Sequence, residues 1–188
     1  MATIEIRGDK MFFEVNRPAQ AKGSLIFIHG AGGDHTLWKE QMEELPPGFA
    51  GYAVDLPGHS QSTGQPVNDV KKYASAVAEF IRVVEAPSPV YVVGQSMGSA
   101  ITLTVALQNE ELIDGLVLIS AGAKMRVAPA LLEALAAGQS NPDFMKLAFS
   151  PHTDPELVEE FIVRQGEVPV QTLFQDFSAC NVFDVSQE

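Results

Sequence analysis

Gly94-Gln95-Ser96-Met97-Gly98 sets a serine between two glycines, each two positions away. A serine hydroxyl is a weak nucleophile. To attack a carbonyl it needs exposure, a base to take its proton, and N–H donors for the oxyanion that forms. A sharp turn from a strand into a helix gives the exposure, and the amide after the serine, at the helix start, then points at the same space. Such a turn crowds the backbone, so small residues are needed on both sides, and Gly94 and Gly98 supply them. The dipole of the following helix adds positive potential there. The flanks fit this reading: Pro89 to Val93 is strand-like and Ser99 to Leu107 helix-like. Composition alone yields G-x-S-x-G in roughly 6% of chains this long, at ~7% usage of each residue. The flanks, more than the pentapeptide, make Ser96 the candidate nucleophile.

A second motif lies upstream. His29-Gly30-Ala31-Gly32-Gly33 follows the apolar run Ser24 to His29, where a second backbone donor is expected. The predicted oxyanion donors are the amides of Ala31 and Met97, with Gly30 allowing close approach and the His29 ring bracing the loop. The base is harder to find among four histidines. His35 opens the helix after "GAGGD" and reads as a cap or rim residue. His59, in "LPGHSQS", belongs to a turn away from the nucleophile. His152, in "SPHTDPE", is the one that could dip toward a pocket. Asp55 and Asp184 read as turn and loop residues, because aspartate bonds its own neighbouring backbone. Asp34 either holds the glycine loop or lines the pocket. No spacing suggests a metal site, and no cofactor is expected.

These groups need elements to position them. The chain has 188 residues, 46% of them apolar, enough for one domain with a substantial core. Alternation over Thr3–Arg7 and the apolar run Met11–Val15 predict two strands around a turn at residues 8–10. Continuous apolar runs at Ser24–His29, Phe49–Val54, Val90–Val93 and Gly115–Ser120 predict strands buried on both faces. Helical spacing falls between them: Leu37, Trp38, Gln41, Met42 and Leu45; then Tyr73, Val77, Phe80, Ile81 and Val84; then Ser99 to Gln108. This alternation predicts a doubly wound, mostly parallel sheet with helices on both faces. After Ala121 the pattern turns all-helical: 127–137, 142–149, 155–165 and 168–179, with Pro129, Pro142, Pro155 and Pro169 near the starts. The predicted division is a core over residues 1–120, a helical cap over 121–180, and a lead-in to further core at 181–188.

Charge narrows the partners. A net charge of -12 repels nucleic acid and anionic lipid surfaces. The single cysteine, Cys180, leaves no internal disulfide and reads as a small buried residue in a reducing compartment. No signal-like or membrane-spanning stretch is seen, so a cytoplasmic location is expected.

"HGAGGD", "VDLPGHSQS" and "VGQSMGSA", in this order and spacing, resemble the α/β-hydrolase superfamily, in particular small esterases and carbon–carbon-bond hydrolases with a helical cap. The resemblance covers nearly the whole chain. It implies Ser96 as nucleophile, Ala31 and Met97 as oxyanion donors, and residues 121 to about 180 as the cap over the pocket. It also implies an acid and a base histidine after later strands, beyond Glu188, in two further strand–helix units of roughly 60–80 residues. The ending "NVFDVSQE" resembles the lead-in to the seventh strand of that fold.

The leading expectation is a serine hydrolase of the carboxylesterase type, acting on a small acyl substrate. Leu131, Leu132, Leu135, Phe144, Met145, Leu147, Phe149, Phe161, Leu173, Phe174 and Phe177 supply apolar surface to the cap, divided between its own packing and a pocket lining suited to acyl or aryl groups. Two alternatives belong to other classes. One is a non-catalytic ligand-binding or regulatory protein using the same pocket. The other is a structural fragment whose open sheet edge pairs with itself or with another chain.

Overall fold

The computed structural model describes residues 1–140, 146 and 149–188. Six strands form one sheet: β1 (Ala2–Ile6), β2 (Asp9–Asn16), β3 (Gly23–Ile28), β4 (Phe49–Val54), β5 (Val90–Gln95) and β6 (Gly115–Ile119). Their spatial order is β1-β2-β4-β3-β5-β6. β2 is antiparallel to both neighbours, and the other pairs are parallel. The sheet is thus mostly parallel and doubly wound, as expected, with a helical cap inserted after β6. From β3 the chain passes to β4 on one side and later to β5 on the other. A crevice opens at such a reversal, outside the carboxyl ends of the strands, and ligands bind there in open α/β sheets. Ile28 pairs with Gly94, so the glycine loop after β3 and the serine turn after β5 leave the sheet side by side.

Strand alternation builds a core on each face. Ile26, Ile28, Tyr52, Val54 and Val92 pack in the larger cluster, under α2 (Val70–Val84) and α3 (Met97–Gln108). Phe27, Ala53 and Val93 face the other way, against Trp38 and Met42. Trp38 closes a 3-10 turn, His35–Trp38, and Met42 lies on the short α1 (Lys39–Glu43). The helix expected from Leu37 therefore begins as a tighter turn, because the Asp34 carboxylate accepts from the Thr36 amide and fixes its start. The first hairpin turns one residue early. Ile6 pairs with Asp9, leaving Arg7 and Gly8 as the two turn residues, with φ of 56° and 88°. Two left-handed residues match the twist of a tight hairpin, and glycine at the second position meets that need.

β6 departs from its predicted burial. Leu116, Val117 and Ile119 are 41%, 46% and 41% exposed. Among the described residues no strand pairs with its outer side, so its apolar run marks a sheet edge instead of a doubly covered strand.

The cap contains α4 (Pro129–Ala136), α5 (Pro155–Glu167) and α6 (Val170–Val182). Pro129 and Pro155 occupy first helical positions, where a missing N–H costs nothing. The helix expected at 142–149 lies largely outside the described residues, as do Phe144, Met145 and Leu147. α6 anchors the cap: Ala179 and Cys180, with Phe183 and Val185 beyond it, join the main core. Cys180 is buried and unpaired. Burial, with the nearby Asp176 charge, pushes its thiol up to about 12, so it packs as a small apolar group. No described helix is long and apolar enough to cross a membrane.

Candidate functional site

Ser96 stands between the end of β5 and the start of α3 with φ 53° and ψ -118°. A non-glycine residue keeps such a conformation only where its surroundings over-determine it. Here they do. The Ser96 N–H donates to Ile119 O at 2.9 Å, and Ser96 O accepts from Ser99 N at 2.8 Å. The Ser99 hydroxyl bridges back to Gly94 O at 2.6 Å and to the Ile119 peptide. The flanking glycines are needed for contact. A Cβ on Gly98 would lie 2.6 Å from His29 O and closer still to Ile28 O; one on Gly94 would lie 2.5 Å from Thr102 Oγ1 and closer still to Gly98 O. The turn is pressed onto the end of β3 through bare backbone.

The glycine loop comes to the same place. A Cβ on Gly30 would stand 3.3 Å from Ser96 Cβ. Gly33 N bonds to Gly30 O at 3.1 Å, closing the loop on itself. Among the described residues no hydrogen bond consumes the Ala31 N–H, and the Met97 N–H is the first of α3, with no earlier helical turn to donate to. Ser96 and the loop Gly30–Gly33 form one wall of a pocket of about 330 Å³. The cap forms the opposite wall with Phe149, Phe161, Arg164, Gln165, Val168 and Phe177. Of the apolar cap residues singled out from sequence, Phe149, Phe161 and Phe177 thus face the pocket. Leu135 and Leu173 are buried as packing; Leu131, Leu132 and Phe174 are half-buried and line no part of it. Of the two roles open to Asp34 it takes one, lining the pocket; its carboxylate caps the turn that follows, at Thr36, and among the described residues does not hold the glycine loop.

None of the four histidines lines this pocket among the described residues. His29 is fully buried. Its Nε2 accepts from Leu56 N at 3.1 Å, so its Nδ1 carries the proton donated to Gly30 O at 2.8 Å. Burial, reinforced by nearby His59, lowers its pKa to about 4. It is a neutral brace for the loop. His35 donates Nδ1–H to Asp55 Oδ1 at 2.8 Å, and that bond, against the opposing effect of burial, raises its pKa. Asp34, His35 and Asp55 offer ligand atoms within 4.8 Å of one another. Both Asp55 oxygens already take N–H donors, from His35 and from Gln61, so the group reads as a hydrogen-bonded loop anchor. His59 is buried, with Nε2 2.8 Å from Asp176 and Nδ1 3.1 Å from Pro57 O. Both ring nitrogens face acceptors, an arrangement that favours the imidazolium. Burial works to lower its pKa, but the Asp176 bond and charge outweigh it and the net direction is upward. His152 is exposed in the cap. Asp184 pairs with Lys124 and accepts from Ser186, which holds its carboxyl low.

The model of the alpha/beta hydrolase fold family matches residues 23–160. The chain belongs to the α/β-hydrolase fold family. A thermophilic esterase of known structure is 31% identical with a TM-score of 0.81, the match covering 97% of this chain and 68% of that one. An esterase from Exiguobacterium antarcticum superposes with a TM-score of 0.83 at 20% identity, covering 97% and 74%. That second likeness is one of fold. Among curated proteins, a pimeloyl-[acyl-carrier protein] methyl ester esterase of Vibrio campbellii is 28% identical over 100 residues, 53% of this chain. An uncharacterized protein of Mycobacterium bovis is 32% identical over 122 residues, 64% of this chain. The matched region is 35–37% of the length of these two relatives.

Three polar residues of this α/β-hydrolase site are not evident in the motifs. Asp176, on α6, is fully buried and accepts from Gly32 N, His59 Nε2 and Tyr73 Oη. Gln165 donates Nε2–H to Gly32 O at 3.1 Å. Arg164 donates to Thr36 Oγ1 at 2.8 Å across the pocket mouth and pairs with Glu160. Only Asp176 leaves a trace in the sequence: it is the single charged residue of α6, within an otherwise neutral helix that docks on the core.

Proposed function

We propose that this α/β-hydrolase chain carries the nucleophile and oxyanion site of a serine hydrolase acting on a small apolar acyl ester or a related carbonyl compound. Ser96 attacks the carbonyl, and the amides of Ala31 and Met97 receive the oxyanion. Gly30, Gly94 and Gly98 allow that approach, and His29 holds the loop. No histidine lines the pocket among the described residues, so this reading requires an acid and a base supplied from elsewhere. The observation that carries this reading is the strained Ser96 in the wall of a pocket it shares with the loop Gly30–Gly33. The apolar cap wall suits an acyl or aryl group, and the esterases similar in fold agree with the reaction class.

The test is hydrolysis of a p-nitrophenyl ester by residues 1–188 and by a form extended with its natural continuation. Turnover is expected in the extended form and lost in its Ser96→Ala variant, with a drop of about 10⁶ in kcat. Residues 1–188 alone are expected to be near background. Turnover that survives Ser96→Ala would overturn the nucleophile assignment. A second reading, a ligand-binding protein without catalysis, draws on the absence of a histidine from the described pocket lining. It predicts saturable binding of the ester with no p-nitrophenol released by either form.

A further inference from the structure

The cap grips both peptide groups that meet at Gly32. The Gly32 N–H donates to Asp176 Oδ2 at 2.8 Å, and its C=O accepts from Gln165 Nε2 at 3.1 Å. Gly32 has φ +63°, and a Cβ there would lie 3.0 Å from Gln165 Oε1 and closer still to Leu173. The loop is therefore fitted against α5 and α6, with no slack for a side chain. Asp176 is fixed in turn. Its Oδ2 also accepts from His59 Nε2 at 2.8 Å, and its Oδ1 accepts from Tyr73 Oη at 2.7 Å. The turn after β4, the helix α2 and the cap helix α6 thus meet on one buried carboxylate. Gln165 is only 4% exposed, and among the described residues its Oε1 has no partner while Nε2 serves Gly32. An unmet buried acceptor costs about 1–3 kcal/mol, and core packing alone gives no reason to retain it.

The Gly32 N–H held by Asp176 lies in the Ala31–Gly32 peptide, which shares the Ala31 Cα with the preceding peptide, whose N–H belongs to Ala31. Holding the one restricts the other, and the Gln165 bond to the following peptide fixes Gly32 from its far side. That restriction matters because an oxyanion donor works by being aimed before charge develops. Asp176 lines no part of the pocket and so acts only through the loop. Resting on the serine-hydrolase reading above, we propose that Asp176 and Gln165 are positioning residues: by locking the two peptide groups that meet at Gly32 they aim the Ala31 N–H at the oxyanion, so that a seated cap and an assembled oxyanion hole are one state. Cap opening then also disarms the loop.

The experiment compares full-length protein with its Asp176→Asn and Gln165→Met variants. Asparagine cannot accept from all three donors. Methionine removes the donor to Gly32 O and also the unmet Oε1, so the second variant should fold even where the first does not. Three readouts are taken: exchange of the Gly32 amide by NMR, kcat and KM on a p-nitrophenyl ester, and the shift of the Ala31 and Met97 amide resonances on adding phenylboronic acid, which forms a tetrahedral adduct on a serine. Gln165→Met is expected to speed Gly32 exchange and lower kcat about tenfold, with KM changed less than about threefold. Asp176→Asn is expected to lower kcat about 100-fold with the same split. Boronate should shift the Ala31 amide in the parent and less in Gln165→Met. A folded Gln165→Met protein with parental kcat and parental Ala31 response would overturn the proposal. Absence of turnover in the parent would sink the hydrolase reading alone if the boronate response and its loss in Gln165→Met persist; absence of both in the parent would sink the two together.

Discussion

The two walls of the pocket are made of different material. On the core side the contacts are made by bare glycine backbone: Gly98 on the Ile28 and His29 carbonyls, Gly94 on the Gly98 carbonyl, Gly30 beside the Ser96 and Gln95 side chains. On the cap side they are side chains: Phe149, Phe161, Arg164, Gln165, Val168 and Phe177. Chemistry that relies on amides and a strained turn tolerates almost no change in residue type. Recognition by side chains on a separate helical layer leaves residue type free while packing is kept. The same division separates the histidines, since His29 braces the core wall and His59 fastens the cap to it.

The sharpest test of this contrast is a methyl group. Gly98→Ala would press a Cβ into the peptide oxygens at the end of β3. Backbone cannot turn aside as a side chain can, so the expected loss is more than about 3 kcal/mol, read as a collapse of the denaturation midpoint or as no soluble protein. Gly138, after the cap helix α4, has φ +75° and nothing within 4 Å of a Cβ. Gly138→Ala should cost about 1 kcal/mol, the strain of a left-handed alanine. Similar losses at the two sites would dissolve the distinction between the walls.

Acid and alkali should loosen the walls separately. The pKa of His29 is lowered on folding, from an ordinary 6.5 to about 4. The unfolded chain thus binds the extra proton between those values, and stability falls as pH drops from 6.5 to 4, on the order of 3 kcal/mol in all. His59 and His35 go the other way. Each has a raised pKa through its aspartate partner, so their contribution is whole below 6.5 and is lost as pH rises through the folded values. Urea midpoints from pH 4 to 9 should therefore peak near 6.5. His59→Gln, which keeps a donor for Asp176 without a titrating charge, should flatten the alkaline limb and leave the acid limb intact. An unchanged alkaline limb would show that His59 is not charged in the fold.

The core wall was legible in the sequence because its demands are local. Strand period, a glycine two residues either side of Ser96, and a second glycine run after an apolar strand fix the elements, and the reversal of strand order at β3 brings the two motifs together. The burial of Cys180 as a small apolar group followed from the same local reasoning. Burial of β6 did not, because an apolar pentapeptide reads alike in a central strand and at an exposed edge. The cap residues that fasten the loop were illegible for another reason. Asp176 and Gly32 are 144 residues apart, and Gln165 and Gly32 133. No period or spacing connects them; only the docking of α5 and α6 against the glycine loop does.

The smallest expected effect belongs to the cap wall itself. Phe161 and Phe149 meet edge to face, with ring centres 5.1 Å apart, and both line the pocket. Such a pair contributes about 0.5–1.5 kcal/mol beyond the area it covers. In a wall that only recognises the acyl or aryl group, removing one ring weakens ground state and transition state alike. Phe161→Ala should then raise KM for an aryl or medium-chain ester about fivefold while kcat changes less than about twofold, with a smaller rise for an acetyl ester that does not reach the ring. A fall in kcat at constant KM would instead place Phe161 among the groups that align the reacting carbonyl, and the cap wall would then share in the chemistry assigned here to the core.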